Sequence, residues 1–287
     1  MTGGDQTVLA RGTGSAVAVH LTAWAVHLPG ADPAPPGLPE ALKEAVQPAV
    51  SAEEAARVLG RKGLLFKEPA TRLALCAVHA ALGLAPGVRP KAPVLPDVAV
   101  VACSNLGNVA TVAEVARTVR AGSVRDVSPL AAPNASSNVV ASTVALWFGL
   151  GGPNFMVCSG AVAGWDGLDI AVRLLRTRRA SQVVLVGAEP DDETARGLRG
   201  TALTAGAAAV ILERPVAAAG PVPPVDLTLG PGGFDPAAAW GDLYGGQGVL
   251  GLALARAAIS GGCASVAAGG ADDRDGGRTT HIWADTP

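Results

Sequence analysis

An α/β fold is the prediction, and three features of the chain carry it. Short apolar runs such as Asp97–Cys103, Val183–Val186 and Ala207–Leu212 read as buried interior strands. Helix-periodic segments rich in small residues alternate with them. Apolar residues make up 49% of the chain but aromatics only 3%, so Ala, Gly, Val and Leu must build the core and backbones must approach closely. A length of 287 residues fits one large domain or two tightly packed halves.

In chain order, Ala16–Leu28 reads as a first strand, stopped by Pro29-Gly30. Short helices are expected over Glu40–Val46 and Glu53–Leu59, the second ending at Gly60. Glu68–Leu82 is a stronger helix, with Leu73, Ala74, Ala77, Val78 and Ala81 on a broad apolar face. After the strand at Asp97–Cys103, helices are expected over Val109–Arg120 and Val139–Phe148. Gly149, Gly151, Gly152 and Pro153 break the latter. Phe155–Cys158 then reads as a short strand, Gly160 as a tight turn and Val162–Arg179 as a helix with a basic end that suits its dipole. Pro215 and Ala217–Pro224 mark a connection between two halves, 1–216 and 217–287. A helix over Gly248–Ile259 and a strand at Val266–Ala268 follow.

Twenty-two basic against 24 acidic residues leave a net charge of −2, which is no field for a general nucleic-acid binder. The clearest local patch is Arg173, Arg176, Arg178 and Arg179. Cys76, Cys103, Cys158 and Cys263 lack metal-ligand spacing, and the four histidines form no HExxH pattern, so no metal is expected and the thiols read as reduced and mostly buried. The apolar runs are too short to span a bilayer, and no secretory pattern opens the chain; a cytoplasmic protein is expected.

Few residues suggest chemistry by themselves. Cys158 precedes a turn and a helix whose N-terminus would favour a thiolate, but no general base is near it in sequence and the residue reads first as a core cysteine. Ser159 fits no GxSxG elbow and reads as a cap. Asp166 and Asp169 share a helix face as a solvated pair, while Asn134 and Asn138 read as loop or cap residues. Gly245 and Gly246 belong to no phosphate-binding motif and read as packing glycines. Asp242 reads as a turn residue, and Phe234, Trp240 and Tyr244 as packing or pocket cover.

The stretch Pro133–Pro190, with FGLGGPN followed by VCSGAVAG, resembles the β-ketoacyl synthase branch of the thiolase-like superfamily. Val8–Leu28, Leu73–Leu84 and TAGAAAVILE at Thr204–Glu213 resemble further family elements. Laying Gly152-Pro153-Asn154 and Val157 onto the family's pattern puts Ala161 at the nucleophilic cysteine, with Cys158 three residues early. GDLYGGQGVLGLALARAAI resembles the segment that carries a catalytic histidine, and Asp242 falls at that histidine. GPGGFDP is at best a remnant of the HGTGT motif, and ADDRDGGRTTHIWA of the final glycine turn and strand.

The resemblance implies a layered thiolase-like fold of two related halves, the C-terminal one abbreviated. It also implies a chain without the thiol that forms the acyl-enzyme, because a methyl group cannot hold a thioester. The comparison that fits is a chain-length-factor-like subunit that stabilises a catalytic ketosynthase and shapes its acyl tunnel in type II polyketide biosynthesis. Its partners would be that ketosynthase and an acyl carrier protein, which Arg173, Arg176, Arg178 and Arg179 would meet. No cofactor is implied; carrier-linked substrates would be handled by the complex. Phe148, Phe155, Met156 and Trp165 are the expected tunnel or dimer contacts. The alternatives are a divergent acyltransferase using Cys158, or a noncatalytic acyl-binding scaffold.

Overall fold

The computed structural model describes residues 7–11, 18–90, 94–214, 222–270 and 278–285. Its strands are β1 (Thr7–Arg11), β2 (Val19–His27), β3 (Val98–Cys103), β4 (Asn154–Val157), β5 (Gln182–Glu189), β6 (Gly206–Glu213), β7 (Leu227–Leu229), β8 (Ser265–Gly270) and β9 (Arg278–Asp285). The helices are α1 (Ala56–Leu59), α2 (Pro69–Ala81), α3 (Val109–Ala121), α4 (Val139–Phe148), α5 (Ala163–Arg176), α6 (Glu193–Arg199), α7 (Pro236–Trp240) and α8 (Gln247–Ser260).

One hydrogen-bonded series joins the strands in the order β4-β3-β5-β6-β2-β1-β9-β8-β7. Its two sides share a pattern. β3 lies parallel to β5, which is antiparallel to β6, which is antiparallel to β2. In the same way β7 lies parallel to β8, which is antiparallel to β9, which is antiparallel to β1. A β1–β2 antiparallel pair forms the seam. Among the described residues the second series is shorter by one strand, the counterpart of β4.

Two apolar layers follow from strand alternation. Val100, Val184, Val186 and Ile211 face α2 and α4, where Leu73, Val78, Val144 and Phe148 are buried. The intervening residues Val101, Leu185 and Val210 face α5 and α8. On its other side α8 packs against β8 and β9, through Val266, Ala268 and Ile282. The two central helices are therefore sandwiched between strands of both series. Leu185 is fully buried in this layer, where truncation to Ala costs about 2–5 kcal/mol.

The interior elements match their sequence signals to within three residues, and the short helices before α2 do not. Glu40–Val46 forms only a 3₁₀ turn at Glu40–Leu42, hemmed by Pro39 and Pro48, and α1 is a single turn. The segment read as one helix over Val162–Arg179 opens with a 3₁₀ turn at Gly160–Val162 and ends at Arg176. Arg178 then takes a left-handed φ of 57°, so Arg178 and Arg179 lie beyond the helix. The strand at Val19–His27 is second in order: β1 precedes it and was not anticipated, nor were β7, α6 and α7. Both missed helices carry readable caps. The Asp192 side chain accepts from Ala195 N before α6, and that of Asp235 accepts from Ala237 N before Pro236 opens α7. The connection read at 215–224 and the glycine turn at 271–277 fall largely or wholly outside the described residues.

Candidate functional site

The two central helices meet at glycine. A Cβ on Gly164 would lie 2.7 Å from the Gly248 Cα, so only paired glycines let α5 and α8 cross this closely. Their N-terminal ends consequently open into one cavity of about 460 Å³. Ala161, Trp165, Arg199, Asp242, Tyr244 and Gln247 line it, and the loop Gly230–Gly233 closes one wall. Beyond that loop lies a second, wider groove between Pro35-Pro36 and Phe234.

The turn carrying Ala161 is set by its neighbours. Gly160 has φ +77°, a conformation that favours glycine. Asn105, in the loop after β3, brackets this glycine: its Oδ1 accepts from Gly160 N at 2.9 Å, and its Nδ2 donates to Gly160 O at 3.0 Å. The backbone of Asn105 is held in turn by Glu189, the last residue of β5. The Glu189 carboxylate, with 0% exposure, accepts from Asn105 N, Leu106 N, Ser104 Oγ and Gly245 N. Burial pushes this carboxyl up to about 7, against the pull of its hydrogen-bond donors.

Asp242 sits on the opposite wall. Its Oδ2 accepts from Arg199 Nε at 3.3 Å and Nη2 at 3.1 Å, and its Oδ1 accepts from Tyr244 N at 2.7 Å. The Arg199 guanidinium also lies over the Tyr244 ring, 4.3 Å from its centroid. An aspartate locked in this way is an acceptor already in use. Its side chain carries no N–H to donate to a thioester carbonyl, as an imidazole does.

Sequence reasoning marked Ala161, Asp242 and Trp165, and the fold brings all three to one cavity. Trp165 forms its floor, against Gly251 and Gly270. Phe148 is buried in the α2–α4 layer and lines neither cavity. Met156 packs partly into that same layer, whereas Phe155 on β4 is 41% exposed. The four arginines are exposed at and beyond the end of α5.

Two expectations need correction. Cys158 is exposed instead of belonging to the core, because it follows the last residue of β4 on the outer rim of the turn. It does not line the cavity, and partial burial of its thiol with Glu189 nearby pushes its pKa up, opposite to what a nucleophile needs. Ser159 caps nothing; its hydroxyl bonds the Asp166 carboxylate. Asp166 and Asp169 are bridged by Arg278. The glycine reading holds: Gly245 packs against Asn105 and Glu189, and Gly246 against Gly187.

Glu189, Asn105 and Arg199 were missed. The first two belong together only after 84 residues of chain are folded back, and no local spacing announces that. Among the described residues no group of three or more His, Cys, Asp or Glu side chains could hold a metal, and no helix is long and apolar enough to cross a membrane.

Mixed strands around a glycine-crossed helix pair, with a helix-opening turn at a cavity mouth, define the condensing-enzyme class of fold. The family described as "Beta-ketoacyl synthase, N-terminal domain" matches residues 51–202, more than half of the chain, and the chain belongs to it. That stretch includes Ala161 and stops short of Asp242. No curated protein matches the chain significantly. Among solved structures, the ishigamide ketosynthase/chain length factor is similar at a TM-score of 0.66 and 17% identity, over 98% of this chain and 100% of that one. A type II acyl-carrier protein in complex with its ketosynthase bound to the hexaketide (AntDE:AntF) gives 0.65 and 11%, over 98% and 100%. A ketosynthase in complex with its chain length factor from Xenorhabdus doucetiae gives 0.54 and 14%, over 92% and 98%. At such identities the likeness is one of fold.

Proposed function

We propose that this chain is a noncatalytic, chain-length-factor-like subunit that pairs with a catalytic ketosynthase in a type II polyketide system. One observation carries the reading: the cavity where this family performs condensation is lined here by Ala161 and by an Asp242 engaged with Arg199. Residues 1–216 and 217–287 are its two related halves, the second shortened and completed by β1 from the first. The similar solved structures that contain a chain length factor support the pairing.

Among the described residues one edge of β4 has no partner strand, and that edge supports a place for the partner. This strand is last in its series, flanked by Leu146 at 85% exposure on α4 and by Phe155 on β4 itself. An unpaired strand edge between exposed apolar side chains favours addition of another strand. Trp165 and the side chains at this edge would bound the partner's acyl tunnel, with a polyene or highly reduced chain as the product we favour. An acidic carrier protein would dock on Arg173, Arg176, Arg178 and Arg179, and carrier-linked substrates would be handled by the complex with no cofactor of its own.

Intact-mass measurement with an activated acyl thioester tests the assignment of roles. The partner ketosynthase gains the acyl mass and this chain does not. An acyl adduct on this chain, at Cys158 or elsewhere, would reverse the assignment in favour of an acyltransferase.

A further inference from the structure

Glu189 is a buried acid that the reading above does not use. Its Oε1 accepts from Asn105 N at 2.7 Å and Gly245 N at 3.2 Å, and its Oε2 from Leu106 N at 3.0 Å and Ser104 Oγ at 3.1 Å. No cation pairs with it among the described ion pairs. Burying such a charge costs several kcal/mol unless donors surround it. The donors come from two places, the loop after β3 and the segment entering α8. Gly245 has no room for a side chain here, since a Cβ would lie 2.8 Å from Glu189 Oε1.

We propose that Glu189 is a positioning residue for the cavity: its carboxylate fixes the backbone of Asn105, whose amide holds the Gly160 turn that presents Ala161, and it ties that turn to the entry of α8. Filling space alone would not require the charge. A glutamine of nearly the same volume would set an NH₂ group against donors that converge on both oxygens, leaving some of them unmatched. Asn105 reads the position of Glu189 through its backbone and transmits it through its side chain.

The test uses the full chain carrying Ala161→Cys, with no partner required, so it stands apart from the partner-subunit reading. Iodoacetamide alkylation at position 161 is followed by peptide mass at pH 8.5 and expressed relative to Cys263 in the same molecule. A thiolate at that turn is favoured by the N-terminal end of α5, provided the turn keeps its geometry. Adding Glu189→Gln is expected to lower the relative rate about tenfold, and adding Asn105→Ala to lower it similarly, with circular dichroism unchanged. A ratio within about twofold of the parent in either folded variant overturns the proposal. If Glu189→Gln does not fold, Asn105→Ala decides alone. Global unfolding of Asn105→Ala also overturns it, because Asn105 would then be holding the fold instead of the turn.

Discussion

Gly164 of α5 and Gly248 of α8 touch backbone to backbone at the centre of the molecule. A methyl on Gly164 would meet Gly248 Cα and Val249 N, both at 2.7 Å, and neither backbone atom can swing aside. Overpacking of this kind costs about 1–3 kcal/mol, against roughly 1 kcal/mol gained from better helix propensity. Gly164→Ala is therefore expected to lower the thermal midpoint by several degrees, and also to disturb the cavity that the crossing creates. Thermal unfolding monitored by circular dichroism checks this; an unchanged midpoint would mean that the helices separate freely.

Glu189 gives the stability a defined pH dependence. Its folded pKa stands at about 7, above the ordinary value of 4.5. The folded state thus holds the proton more tightly than the unfolded chain. Its contribution is full below pH 4.5 and is lost as pH rises through about 7, a change on the order of 3 kcal/mol. Buried His27 and His79, with lowered pKa values, act in the opposite sense as pH falls through 6.5. The difference between wild type and Glu189→Gln isolates the glutamate. Denaturant melts from pH 4.5 to 8 should show the wild type losing stability relative to the variant as pH rises, and parallel profiles would contradict this.

The β4 edge predicts a separation of binding from stability. Phe155 and Leu146 are 41% and 85% exposed, so Phe155→Glu and Leu146→Glu should leave the midpoint of the isolated chain within about 1 °C. The same changes should weaken pairing with a ketosynthase at least about tenfold, because a charge would be buried at the joint. Titration calorimetry or coelution measures the effect. Undiminished pairing would place the partner elsewhere.

Restoring the thiol should not restore condensation. Ala161→Cys returns a nucleophile to the turn, yet Asp242 remains paired with Arg199 and no imidazole lines the cavity among the described residues. The variant chain on its own is expected to become acylated without forming carbon–carbon bonds. Product analysis with carrier-bound extender units checks this, and turnover by the single variant would show that the cavity retains more machinery than Asp242 implies.

Much of the frame was legible in the sequence, because it rests on local signals. Val98–Cys103 is all apolar and buried on both faces, and Val139–Phe148 ends at a left-handed Gly149, just where the glycines begin. Ala161 was found by register from Gly152-Pro153-Asn154, and Asp242 by register from Gly248–Leu252; the cavity unites them. What stayed hidden is long-range. The partners of Glu189 lie 56 to 85 residues away, and Arg199 reaches Asp242 across 43. Cys158 misled because a small thiol beside a strand looks like core, and only the strand's position at the sheet edge exposes it.

Reconstitution by omission tests the central claim most directly. A cysteine-containing ketosynthase is coexpressed with this chain, purified, supplied with carrier-bound extender units, and compared with the same ketosynthase alone. The two chains should coelute, and leaving out this one should abolish condensation or shift product length, as read by mass. A ketosynthase that makes the same products at the same rate without it would contradict the account.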